Sequence, residues 1–193
     1  MQPMSHAAGR EVRWVQPRFG HRWWELRALN GSDGHPVEGD AGLYAVLGWK
    51  RRFHRVADIE TASARWRLCR PRVFSRDIQV VNADTSAPEA TVRWSGVAWK
   101  RTAHLLLANG RVYKFWASHF WSGEYAIARE ESPADSDAHL ITFHRHFHAF
   151  HTENSVVIAA NAAQLPDIAL LVALGWYMRL SQMQRRGHVA MAT

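Results

Sequence analysis

The sequence predicts a mainly β protein in which a closed antiparallel β-barrel surrounds one hydrophobic α-helix near the C-terminus. Three observations lead to this fold class. Short strand-like runs follow one another from residue 42 to about residue 160, no long helical pattern interrupts them, and an eleven-residue stretch without charge follows at 168–178. Many short strands with turns between them are typical of sandwiches and barrels. A helix that is apolar on every side must be surrounded by protein.

Length and composition are those of one domain. The chain has 193 residues, of which 47% are hydrophobic, and it includes 10 Trp and 8 Phe. Large rings suit the packed interior of a barrel. Residues 1–20 contain Pro and Gly without periodicity and are predicted to be a flexible N-terminal arm. A single domain is then expected at 21–187, followed by a disordered tail at 188–193.

Strand patterns occupy most of this domain. A first strand is expected at 21–29, and the Gly-, Asp- and Pro-rich segment 30–40 is a predicted loop. The other strand-like runs lie at residues 42–50, 64–74, 76–83, 90–94, 102–107, 111–117, 124–130, 140–150 and 155–160. Between two of them, Asn109-Gly110 predicts a hairpin with a type I′ turn, because both residues tolerate positive φ.

The C-terminal helix is predicted at about 166–184. Pro166 suits a first helical turn, and Asp167 complements the helix dipole there. The uncharged stretch 168–178 would span about 16 Å as a helix, whereas a bilayer core is about 30 Å thick. A transmembrane segment is therefore not expected, and the helix is predicted to be buried in the core. A closed barrel would surround it and would also remove exposed sheet edges.

Two segments, LLLANGRVYKFWASHFW (105–121) and LPDIALLVALGWYMRL (165–180), resemble bacterial members of the tubby C-terminal-like superfamily. This superfamily includes LURP-one-related proteins and phospholipid scramblases, and the resemblance covers roughly residues 60–180. It implies a barrel of twelve strands with the C-terminal helix through its centre. It also implies a membrane-related role, because tubby domains bind phosphoinositides and scramblase relatives act at membranes. The chain lacks a scramblase-type calcium-binding acidic segment, so no functional residue is transferred.

Two basic and aromatic strings are the main candidates for a binding site. The chain has a formal net charge of +7, and the strings at 49–55 and 99–104 share the pattern W-K-R-x-x-H. Lys and Arg attract phosphates, and Trp is favoured at headgroup boundaries. The candidate anion- or lipid-binding residues are Lys50, Arg51, Arg52, Arg55, Lys100 and Arg101. Two alternatives remain: a solvated strand end with Trp packed in the core, and binding of single-stranded nucleic acid, which is less favoured.

An arginine series follows in the 64–76 region. It comprises Arg65, Arg67, Arg70, Arg72 and Arg76. Arg65 and Arg67 would share one face of a strand because side chains alternate. Since Pro71 interrupts the run, the simplest interpretation is a charged edge strand that prevents unwanted strand pairing.

Histidines form a third candidate site. His144, His146 and His148 would project from one face of a strand, and imidazoles are zinc ligands. Three such residues span about 13 Å, so one ion would need two of them plus His151, Glu153 or His119. The alternative interpretation is an exposed or pH-responsive polar face. Nucleophilic catalysis has little support, because the sequence contains no G-x-S-x-G motif and no H-E-x-x-H motif.

The leading functional interpretation is a non-enzymatic tubby-like domain that binds anionic ligands such as membrane phospholipid headgroups. The alternatives are a protein-interaction scaffold and a metal-dependent enzyme that uses the His144–His151 strand. No cofactor is expected. The single cysteine, Cys69, suits a reducing compartment, and no secretory signal is visible. A cytoplasmic protein, peripheral at the membrane, is therefore expected.

Overall fold

The computed structural model describes residues 1–17, 23–30, 35–49, 56–71, 77–96, 102–119, 123–131, 139–147 and 152–190. At residues 119, 145–147, 152–153 and 183–190 it describes only the backbone.

A closed barrel of twelve strands forms the body of the protein. The strands are β1 (Glu11–Val15), β2 (Trp23–Ala28), β3 (Leu43–Trp49), β4 (Val56–Thr61), β5 (Arg65–Cys69), β6 (Ile78–Asn82), β7 (Pro88–Ser95), β8 (Thr102–Leu107), β9 (Val112–His119), β10 (Glu124–Arg129), β11 (Ile141–Phe147) and β12 (Thr152–Ile158). Each strand pairs antiparallel with its neighbours in sequence, and β1 pairs with β12 to close the barrel. The predicted fold class and the strand number implied by the resemblance are confirmed.

Side chains alternate between the lumen and the outer surface along each strand. In β8, for example, Ala103, Leu105 and Leu107 are buried, whereas Thr102 and His104 are half-buried on the outer side. This alternation follows from the two-residue period of a β-strand. Each of the twelve strands contributes buried residues to one hydrophobic core.

The helix α1 (Ile168–Ala190) runs through the lumen. Every residue from Ile168 to Ser181 is buried, which corresponds to about 21 Å of helix at 1.5 Å per residue. A helix with no polar stripe is stable here because the barrel wall covers all its sides. The helix is longer than the predicted 166–184. Among the described residues, no helix combines the length and apolarity that a bilayer crossing requires.

Aromatic rings pack helix α1 against the barrel wall. The Trp176 ring stacks on Trp14, with centroids 5.4 Å apart, and meets Trp24 edge-on at 5.3 Å. On another side, Gly175 lies so close to Phe143 that a Cβ at this position would overlap the phenyl ring. The helix therefore has one defined rotation within the barrel.

Three local features differ from the sequence-based expectations. The N-terminal segment 1–20 includes β1, which closes the barrel, and a 3-10 turn at Met4–Ala7 whose residues Met4 and Ala7 are buried. Strand β4 was not predicted. The β8–β9 hairpin forms at the predicted place, but only Gly110 has positive φ, at 82°. A type I′ turn needs two such residues, so this turn is a three-residue loop ending in a left-handed glycine.

Candidate functional site

Antiparallel pairing sorts the connections between strands into two groups. The connections that follow odd-numbered strands join the barrel at one end, and those that follow even-numbered strands join it at the other. We call the first the basic end, because its connections contain many Lys and Arg and only one acidic residue, Asp77. The basic residues are Arg18, Arg22, Lys50, Arg51, Arg52, Arg55, Arg70, Arg72, Arg76, Lys100 and Arg101.

All six candidate anion-binding residues belong to connections at the basic end, but they lie outside the described residues. The structure places the strand residues that flank them. Trp49 ends β3 and Val56 begins β4, while Ser95 ends β7 and Thr102 begins β8. The two W-K-R strings, fifty residues apart in sequence, therefore connect strands at the same end of the barrel.

The opposite end is acidic. Its connections contain Arg111 as their only Lys or Arg, and their acidic residues are Asp33, Glu38, Asp40, Asp84, Glu130, Glu131, Asp135, Asp137 and Asp167. In the described structure Asp84 pairs with Arg65, which holds the pKa of this carboxyl below its usual value. The Asp84 carboxylate thus forms a contact within the protein.

Asp167 connects the start of α1 to the β8–β9 hairpin at the acidic end. Its carboxylate accepts hydrogen bonds from Asn109 Nδ2 at 3.0 Å, Arg111 Nη1 at 2.8 Å and Tyr113 OH at 3.1 Å. Burial, and secondarily the charge of Asp167, raises the pKa of the Tyr113 phenol. The three contacts fix the position at which the helix begins.

The lumen near the basic end contains a buried cation. Arg179 is 1% exposed, and its Nη1 donates to the His144 carbonyl oxygen at 3.2 Å. Its guanidinium lies 5.7 Å from the centroid of the Tyr125 ring, and the Tyr125 hydroxyl donates to Gln182 Oε1 at 2.6 Å. A polar layer therefore follows the apolar part of the helix.

Trp49, the first residue of the first W-K-R string, is part of the core. It is 7% exposed, and its ring centroid lies 5.1 Å from that of Tyr177. Burial raises the pKa of the Tyr177 phenol. The interpretation of this tryptophan as a core residue is confirmed, so it does not supply a ring at a headgroup boundary.

The arginine series does not form an edge strand, because β5 pairs with β4 on one side and with β6 on the other. Arg65 and Arg67 share the outer face of β5 as predicted. Arg67 Nε lies 3.1 Å from Asp58 Oδ1, and the pair lines a shallow depression of about 290 Å³. Since acids and arginines both line this depression, it has no net preference for anions. Arg72 and Arg76 lie outside the described residues.

The structure describes only part of the predicted histidine strand, which corresponds to β11. His144 is on the outer face of β11, and its Nδ1 lies 2.9 Å from Glu124 Oε1. His148 and His151, and the side chains of His146, Glu153 and His119, lie outside the described residues. Within the part of the chain that the structure describes, no three His, Cys, Asp or Glu residues are grouped in a way that could hold a metal ion.

The structure also brings together three residues that the sequence analysis did not connect. Ser95 Oγ lies 2.9 Å from His104 Nε2, and His104 Nδ1 lies 3.1 Å from Glu130 Oε2. They come from β7, β8 and the residue after β10, so no local motif could reveal them. In the register of the β7–β8 pair, Ser95 faces Thr102 and Arg93 faces His104. This register makes Ser95 and His104 diagonal neighbours.

Cys69 is half-buried on the outer face of β5 rather than in the core. Burial raises the pKa of its thiol despite the nearby charge of Arg67. A nucleophilic thiolate is therefore not favoured at this position.

Comparisons of this chain with family models, with curated proteins and with solved structures found no match.

Proposed function

We propose that the protein is a tubby-like domain that binds anionic membrane phospholipids through the basic end of its barrel. The cytoplasmic leaflet is the proposed target, because it carries the anionic lipids of the cell membrane. The candidate residues are Lys50, Arg51 and Arg52 with Arg55 in the β3–β4 connection, and Lys100 and Arg101 in the β7–β8 connection. The helix-filled barrel supports this family assignment, since the resemblance implies the same architecture.

The segregation of charge between the two ends carries the proposal. The connections at the basic end contain one acidic residue, Asp77, so their net charge stays positive whatever contacts they form with one another. Acidic residues concentrate at the opposite end. A barrel with this distribution would orient in the field of an anionic surface with its basic end toward the lipids.

The expected strength of lipid binding follows from the number of Lys and Arg side chains that contact the anionic surface. Each Lys or Arg near an anionic surface contributes about 1 kcal/mol. Neutralising three of them should therefore weaken binding by about 3 kcal/mol, which is roughly a hundredfold. The attraction should also weaken as ionic strength rises, because the Debye length falls from about 10 Å at 0.1 M to about 3 Å at 1 M.

Flotation with vesicles tests the proposal. The protein is mixed with vesicles of phosphatidylcholine alone or with phosphatidylserine and phosphoinositide added, at about 0.1 M salt. We expect binding to the anionic vesicles only, with about a hundredfold loss in the variant K50Q/R51Q/R52Q. Equal and negligible binding to both kinds of vesicle would remove the proposal.

A matched variant controls for net charge. R10Q/R93Q/R129Q also removes three positive charges, but from Arg10 before β1, Arg93 on the outer face of β7 and Arg129 at the acidic end of β10. If the basic end is the binding surface, this variant should retain most of the wild-type affinity. Equal losses in both variants would mean that total charge, rather than the basic end, determines binding.

A further inference from the structure

We propose that Ser95, His104 and Glu130 form a nucleophilic site on the outer face of the barrel that transfers acyl groups from small carboxylic esters to water. The two contacts, 2.9 Å from Ser95 Oγ to His104 Nε2 and 3.1 Å from His104 Nδ1 to Glu130 Oε2, are the hydrogen bonds of a serine–histidine–carboxylate triad. Such a triad is recognised by its geometry and not by its order in the chain.

The carboxylate determines which imidazole nitrogen carries the proton. An ionised Glu130 only accepts hydrogen bonds, so Nδ1 of a neutral His104 must hold the hydrogen that it donates. The lone pair of Nε2 then faces Ser95 Oγ and can accept the hydroxyl proton. The Thr102 carbonyl oxygen is a competing acceptor for this hydroxyl, but it lies 3.4 Å away. The shorter contact favours His104.

The proposed reaction has two steps that balance. Ser95 Oγ forms a bond to the ester carbonyl carbon while its proton passes to His104 Nε2, and that proton then leaves with the alkoxide as the ester C–O bond breaks. A water molecule next attacks the acyl-serine and gives a proton to Nε2. Ser95 recovers this proton as the carboxylic acid departs. Glu130 remains ionised and stabilises the imidazolium in both steps.

The surroundings define the class of substrate. Ser95 is exposed, and the side chains of His104 and Glu130 are 32% and 40% exposed. The exposed hydroxyl of Ser95 is thus accessible to a small ester. Arg93 is exposed on the same face, two residues before Ser95 and directly across from His104. An arginine at this position suits an ester with a carboxylate or phosphate substituent.

Covalent labelling tests the nucleophile directly. The purified protein is treated with a neutral alkyl fluorophosphonate, and the site of the adduct is found by peptide mass spectrometry. We expect a single adduct on Ser95. The variant S95A should give none, and H104A should slow labelling about a hundredfold, because a general base typically contributes at least this factor. E130Q should slow it less, since water screens a half-exposed pair.

The control comes from a second histidine–carboxylate pair of similar exposure. His144 and Glu124 are each 30% exposed and lie on the outer face of other strands. H144A should leave labelling of Ser95 unchanged. The proposal is overturned if Ser95 is not labelled, or if H104A and E130Q are labelled as fast as the wild type, because the contacts would then be structural only.

Ester hydrolysis tests the substrate class. We expect R93Q to raise KM for an anionic aryl ester such as a nitrophenyl succinate, with little change for nitrophenyl acetate. Equal KM changes for the two esters would contradict the role of Arg93. The site does not depend on the proposed lipid binding: K50Q/R51Q/R52Q should weaken vesicle binding about a hundredfold and leave labelling of Ser95 intact.

Discussion

The two ends of the barrel use charge differently. At the acidic end, carboxylates contact strand and hairpin residues of the same protein: Asp84 contacts Arg65, and Asp167 contacts Arg111 and Tyr113. At the basic end, the connections contain many more Lys and Arg than acids, so their charge cannot be neutralised within the connections. We infer that the charges of the acidic end mainly stabilise the fold, whereas the role proposed for the basic end is to bind anionic lipid.

An up-and-down barrel is polarised when its alternate connections differ in charge. Alternate connections in an up-and-down barrel reach opposite ends, so a bias of odd connections toward Lys and Arg becomes a charge dipole along the barrel axis. Helix α1 joins the ends physically. It begins beside Asp167 at the acidic end and brings Arg179 toward the basic end.

The largest effect should come from the core that both ends share. Trp176→Ala removes the ring that stacks on Trp14 and leaves a cavity between helix and wall, so we expect a loss of about 3–5 kcal/mol in unfolding free energy. Denaturant unfolding measures it. Trp23→Ala, at a residue 40% exposed, is the matched control and should cost far less. Similar losses in the two variants would contradict enclosure of the helix.

A smaller effect should follow from a change at the acidic end. Asp167→Ala removes three hydrogen bonds to the β8–β9 hairpin, one from each of Asn109, Arg111 and Tyr113. Because two of the donors are solvent-exposed, we expect a loss of about 1–2 kcal/mol. Thermal unfolding would report it, while binding to anionic vesicles should be unchanged. Weaker vesicle binding in this variant would mean that the two ends are not functionally separate.

The smallest effect should come from two buried tyrosines, Tyr113 toward the acidic end and Tyr177 toward the basic end. Burial raises the pKa of both Tyr113 and Tyr177, so the folded state binds their protons more tightly than the unfolded chain. Their contribution to stability is complete below the unfolded value of about 10 and is lost as pH rises through the raised values. Urea unfolding at pH 8 and pH 11 should show a smaller alkaline loss in Y113F/Y177F than in the wild type. An equal alkaline loss of stability in the two proteins would contradict the raised pKa values of the two tyrosines.

Much of the fold could be predicted from the sequence because the decisive signals are local. The stretch 168–178 is apolar on every side, which requires enclosure wherever it lies in the fold. Strand β4 was not predicted because it contains two charged residues, Asp58 and Glu60, which interrupt its apolar sequence. In the structure both point outward, and Asp58 pairs with Arg67 of the next strand. Strand β1 was missed because it is short and flanked by Gly9 and Pro17.

The sites were less predictable because they depend on strand register. Ser95 and His104 are nine residues apart, and Glu130 lies 26 residues after His104. Their contacts depend on the registers of the β7–β8, β8–β9 and β9–β10 pairs, which no local pattern in the sequence specifies. The basic residues are evident in the sequence. Their assignment to one end of the barrel requires the topology, in which alternate connections lie at opposite ends.

Two fluorescent probes, one toward each end of the barrel, would report how the barrel is oriented on a vesicle. Pro71 and Ser63 are both exposed and flank β5, Pro71 at the basic end and Ser63 at the acidic end. In a C69A background, P71C and S63C each provide a single thiol for an environment-sensitive fluorophore. Both proteins are then mixed with anionic vesicles that carry nitroxide-labelled headgroups. Strong quenching of the probe at residue 71, with little quenching at residue 63, is the predicted result. Equal quenching of both probes, or stronger quenching at residue 63, would contradict binding through the basic end.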